Sequence, residues 1–121
     1  MTTTGKQARD KGIEFERQLV KRFRQAGFVQ AKRHMESQEA EAKGYDFDNL
    51  GPLLVQAKRW KEYAPISTLF DINKAPGGVP VLITKPDEGQ AVACMLLSDF
   101  LRIVASAQSK DLAPPTNEDF L

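Results

Sequence analysis

The chain has 121 residues, 41% of them apolar and 27% charged, which suits one domain and excludes a multi-domain machine. The lone Cys94 excludes an internal disulfide and a cysteine-based zinc site, and the lone His34 excludes a paired-histidine nuclease and a multi-histidine zinc enzyme. The net charge of +1 hides an asymmetry: residues 1–35 hold nine Lys and Arg against three acids, a local excess of +6, and the remainder carries −5. A basic concentration of that kind suits a polyanion partner, and equally a solvated helix surface.

The apolar stretches at 79–84 and 90–97 fall well short of the roughly 20 residues a membrane span needs, so a soluble protein is expected. Residues 1–10 are polar with Lys6 and Arg9 and lack the apolar block of a secretory signal, which with an unpaired cysteine points to a reducing, cytoplasmic setting.

In chain order, residues 6–26 read as a helix stopped by Gly27, and 28–33 as a short strand. The Glu-rich run 35–43 reads as a loop or helical turn. Residues 45–48 and 53–58 are strands joined by an Asn-Leu-Gly-Pro turn, expected to form a hairpin. A proline-opened helix over 65–74 ends at Pro76-Gly77-Gly78. Strands at 79–84 and 91–96 flank the turn Pro86-Asp87-Glu88-Gly89, and Ser98 is expected to cap a last helix running from Asp99 to about Ala107. Residues 95–104 read as core, Cys94 as an inert thiol in an apolar strand, and His34 as a surface or phosphate contact. The domain core spans about 8–107, followed by an irregular acidic and proline-containing tail at 108–121.

Two features carry chemistry. Projected along the first helix, Phe15, Leu19, Phe23 and Val20 form an apolar stripe, and Glu16 falls inside it at roughly 100° from Phe15. A carboxylate there needs a partner, a hydrogen bond or a cation. On the strand at 53–58, alternation sets Leu54, Gln56, Lys58 and Trp60 on one face and Leu53, Val55, Ala57 and Arg59 on the other. Pairing with the strand of Asp46 brings an acid, an amide oxygen and an ammonium together. Such oxygen donors suit a hard divalent cation, and the lysine suits an attacking water or the charge growing on a phosphoryl group. An amphipathic hairpin with an exposed polar face accounts for the same pattern. Gly77-Gly78 lacks the Lys-Ser/Thr of a phosphate loop, so no nucleotide cofactor is expected.

An acid on the first helix, an Asp, a turn and an apolar strand ending Gln-x-Lys together resemble the PD-(D/E)XK nuclease superfamily. Lys11-Gly12-Ile13-Glu14-Phe15-Glu16-Arg17 is similar to the opening of archaeal-type Holliday junction resolvases. Gly44-Tyr45-Asp46 with Val55-Gln56-Ala57-Lys58-Arg59-Trp60 is similar to Mrr-type restriction endonuclease domains. The resemblance implies an α/β, restriction-endonuclease-like αβββαβ core, a central mixed sheet flanked by helices. It implies an active-site set of Glu16, Asp46, Gln56 and Lys58, with Asp46, Gln56 and Glu16 toward Mg2+ or its substitute Mn2+. Gln56 stands where many members have an acid, Asp48 is a rival ligand to Asp46, and Ser37 is a further candidate matching the serine of the resolvase pattern.

The expected activity is a magnesium-dependent endonuclease cutting DNA by structure, as a junction resolvase acting in recombination as a homodimer, encoded by a bacterium, archaeon or phage. Lys11, Arg17, Lys21, Arg24, Lys32, Arg33 and Arg59 are the expected DNA contacts. The alternatives are a nicking, end-processing or restriction-type nuclease of a phage or mobile element, and an inactive DNA-binding module of the same fold.

Overall fold

Helix α1 spans Gly5–Gln25 and buries Phe15, Leu19 and Val20, the stripe expected from its 3.6-residue period. These coordinates are a computed structural model that describes residues 5–34, 44–72 and 77–109. The helix ends in a Schellman motif: the Phe28 N–H reaches the Phe23 carbonyl at 3.0 Å and the Gly27 N–H the Arg24 carbonyl at 3.2 Å. Gly27 has φ 118°, a conformation that glycine adopts without the strain a Cβ would add. Ala26, expected within the helix, lies just beyond its last residue, Gln25, and is exposed.

The short strand expected over 28–33 shrinks to β1, Lys32–Arg33, because Phe28 and Ala31 are engaged in the capping turn. β2, Phe47–Asp48, pairs antiparallel with β1, setting Lys32 opposite Asp48 and Arg33 opposite Phe47. β3, Leu53–Arg59, runs parallel to β4, Val79–Lys85, and β5, Val92–Met95, returns antiparallel to β4. The result is a mixed three-stranded sheet in the order β3-β4-β5 beside a two-stranded ribbon. One face packs on α1 through Val55, Val79 and Val81, with Phe47 and Leu50 filling the same core. The other face buries Leu82 with Ala64, Leu69 and Ile72.

Four expectations change. The hairpin between residues 45–48 and 53–58 is no ladder, since β2 spends its pairing on β1. Asn49 and Gly51, both at positive φ, turn the chain between β2 and β3. The proline-opened helix is a 3-10 helix, Ile66–Asp71, because β-branched Ile66 and Thr68 disfavour a longer α-helix after Pro65. Residues 73 and 74 of that expectation lie outside the described residues, as does the run at 35–43.

Ser98 caps nothing. The Phe100 N–H bonds the Leu96 carbonyl at 3.0 Å, so helix α2, Leu97–Ser109, starts earlier and Ser98 sits inside it. Residues 95–104 divide: Met95 and Leu96 pack against the core, whereas Leu97, Phe100, Leu101 and Ile103 are exposed because α2 projects its apolar side away from the sheet. Cys94 is half-buried beside Leu82. No helix among the described residues is long and apolar enough to cross a membrane.

Candidate active site

The divergence of β2 from β3 shapes the site. Only Asp46 bridges the gap, its N–H donating to the Val55 carbonyl at 2.8 Å and its carboxylate accepting the Ala57 N–H at 2.8 Å. One rung of a ladder is therefore replaced by a side-chain carboxylate. That fixes Asp46 beside β3 at Gln56 and Lys58.

Glu16 enters from α1, half-buried, and takes a fork from Arg33 of β1, with Nε at 3.2 Å and Nη2 at 3.1 Å from Oε2. Burial, and then the charge of Asp46, push the Glu16 carboxyl above its ordinary range, while Arg33 and Lys58 pull it back. Burial likewise pushes Asp46 up, opposed by the Ala57 N–H and by the charges of Lys58, Arg33 and His34. Glu16, Asp46, Lys58 and Arg33 thus lie within one electrostatic field.

Gln56 shares the Lys58 side of β3, and its Oε1 is buried without a hydrogen-bond partner in the structure. Asp46 is level with Gln56 along β3, so the Asp46 carboxylate and the Gln56 carbonyl are the oxygen donors of this strand that a hard cation would use, with Glu16 on α1 as a third. The described residues hold no group of three His, Cys, Asp or Glu suited to a metal. Any cation here would therefore lean on the Gln56 amide to complete Glu16 and Asp46.

Asp48, the rival ligand, is taken up elsewhere: both its oxygens lie 2.9–3.0 Å from His34 Nδ1. His34 is no surface contact, its side chain being only 8% exposed. The antiparallel pairing of β1 with β2 brings the two together, and the His34 N–H also bonds the Asp46 carbonyl at 2.8 Å. Ser37 lies outside the described residues.

The expected DNA contacts separate into two groups. Arg17, Lys21, Arg24, Lys32 and Arg33 line a groove of about 440 Å³ along α1 and β1, with Glu14 its one acid. Lys11 and Arg59 instead converge on Asp87, each at 2.8 Å, tying α1 and the end of β3 to the β4–β5 turn. Arg24 also donates to the Ala31 carbonyl at 3.0 Å.

Sequence reasoning missed three roles: Arg33 as the counter-ion of Glu16, His34 as the partner of Asp48, and Asp87 as a double counter-ion. The antiparallel pairing that sets Asp48 beside His34 was the available signal for the second, whereas Glu16 lies on α1 and no strand pairing points Arg33 to it. Compared with protein-family models, with curated proteins and with solved structures, the chain matches none.

Proposed function

We propose that this chain is a metal-dependent DNA endonuclease with a restriction-endonuclease-like core, selective for DNA structure in the manner of a small junction resolvase. The observation that carries the reading is that Glu16, Asp46 and Lys58 act on one another electrostatically, beside a strand whose Gln56 oxygen is buried without a partner. Glu16, Asp46 and the Gln56 amide would hold Mg2+ or Mn2+, which when bound supplies an acidified water and charge neutralisation at the phosphate. Lys58 orients that water for in-line attack or steadies the charge that builds on the phosphoryl oxygens. Asp46, anchored on the Ala57 N–H, holds its carboxylate in place without a conformational search.

The groove of Arg17, Lys21, Arg24, Lys32 and Arg33 supplies the phosphate contacts that position a duplex without reading its sequence. A two-fold dimer would present two such sites to paired strands. Gln56 in place of an acid favours one second reading, a DNA-binding module of the same fold without cleavage.

The test is cleavage of four-way junction, flap, nicked and plain duplex DNA, with and without Mg2+ or Mn2+, by the wild type and Lys58→Ala. Metal-dependent cutting of branched DNA, abolished in the variant while binding persists, supports the nuclease. Binding without cutting on every substrate selects the binding module, and absence of both refutes the reading.

A further inference from the structure

Trp60 is the one tryptophan of the chain and follows directly on β3, an edge strand of its sheet, with 45% of the residue exposed. A half-exposed indole beside a lysine offers apolar ring surface to a flat partner. The Lys58 ammonium lies 5.7 Å from the ring centroid. The backbone under the ring is pinned: Arg59 Nη1 donates to the Trp60 carbonyl at 2.9 Å and to Asp87 at 2.8 Å, and the Asp87 N–H bonds the Lys61 carbonyl at 3.0 Å. The platform therefore stands ready before any ligand arrives.

Resting on the nuclease reading, we infer that Trp60 is a stacking platform for one unpaired nucleobase beside the phosphate that Lys58 engages. The separation of ammonium and ring is on the scale of the span from phosphate to base within one nucleotide. A base inside an uninterrupted duplex has both faces covered by its neighbours and cannot lie on the indole. A base at a branch point, flap, gap or single-stranded end has a face free, and stacking on an aromatic ring tolerates any of the four bases. The site thus selects DNA that offers an unstacked nucleotide at the cut, a specificity that needs no base-reading hydrogen bonds. The Lys58 ammonium over the ring also strengthens the stack by drawing the phosphate to the same spot.

Because Trp60 is the sole tryptophan, its fluorescence reports on this position alone. The wild type is titrated in EDTA, so that nothing is cut, with a 20-nucleotide single strand, a gapped duplex and an uninterrupted duplex of the same sequence. The expected result is quenched emission with the first two and little change with the third. Trp60→Ala should weaken binding of the single strand and gapped duplex by about 5- to 100-fold. Uninterrupted duplex binding should stay within about twofold, and Trp60→Phe, keeping a smaller ring, should fall between the wild type and Trp60→Ala. Binding of unpaired DNA with unchanged emission overturns the platform alone. Equal losses on all three DNAs overturn it too, since they mark Trp60 as a support for Lys58. Binding of no DNA by the wild type overturns the nucleic-acid reading as well as the platform.

Discussion

On the proposed reading, Asp46→Asn separates the catalytic value of this carboxylate from its structural cost. The Asp46 carboxyl is held above its ordinary pKa, so burial outweighs the combined pull of the Ala57 N–H, Lys58, Arg33 and His34. An acid raised in the folded state costs nothing below its unfolded pKa, 3.8 here, where both states are protonated. As pH rises past that value the unfolded chain ionises more readily, and stability is lost until the folded carboxyl has also ionised. Asn retains an oxygen for the Ala57 N–H and carries no charge, so it escapes this cost. It gives up the strength of a charge-assisted bond, but the raised pKa already counts that attraction within the net. The expected gain at pH 7.5 without metal is on the order of 1 kcal/mol, or about 5 °C in Tm. The gain should vanish near pH 3.5. A divalent cation at ten times its Kd would stabilise the wild type by about 1.4 kcal/mol and leave the variant unmoved, reversing their order. Urea unfolding from pH 3.5 to 8, in EDTA and then in Mg2+, measures all three. A variant less stable than wild type at pH 7.5 in EDTA, or one whose gain persists at pH 3.5, would refute the reasoning.

Gln56→Glu should tighten Mn2+ binding by about tenfold, because ligand charge sets affinity for hard cations, and should lower metal-free stability at neutral pH; calorimetric titration and melting in EDTA read the two effects. Lys21→Ala with Lys32→Ala should weaken binding of every DNA to a similar degree and flatten the salt dependence by about one unit per lost phosphate contact, read from affinities between 50 and 200 mM salt. His34→Ala leaves the Asp48 carboxylate half-buried without its partner and should cost about 1–3 kcal/mol in urea unfolding. Asp87, whose pKa is lowered by hydrogen bonds from Lys11 and Arg59, contributes stability that is lost as pH falls through its folded value, so Asp87→Asn should lower Tm at pH 7, and the difference should shrink as pH falls below 3.8.

What was legible in the sequence follows from what carries a period. The stripe of α1 and the place of Glu16 inside it could be read because 21 helical residues repeat the pattern several times. β3, β4 and β5 were legible from runs such as Val79 to Thr84, whose β-branched residues fit a buried strand. β1 and β2, two residues each, have too little length for alternation to assign a face. Arg33 and His34 therefore read as outward-facing contacts when each in fact holds an acid. The apolar side of α2 was equally visible, but a periodic face says only that a helix has an apolar side. It does not say that another element covers it, and Phe100 and Leu101 remain exposed. Asp46 was found by its place in a motif, whereas its hold on the Ala57 N–H depends on β2 leaving β3, which no local signal encodes.

On the proposed nuclease reading, an amide rather than an acid at position 56 bears on the order in which ligands arrive. Without a cation, the Glu16 and Asp46 charges stand against Arg33 and Lys58, and the four cancel. A third carboxylate at position 56 would leave that buried field negative, where burial already strains both acids, and would repel an approaching phosphate. With the amide in place the resting site is neutral and continuous, through Arg33, with a groove of five cations. On the proposed reading, DNA can then dock before the site is charged with metal, at the expense of a weaker cation grip. Arg33 is the joint between the two: it lines the groove with one part of its environment and holds Glu16 with the other. A phosphate that draws the guanidinium toward the groove frees the carboxylate for a cation, so DNA and metal should each tighten the binding of the other by the same factor.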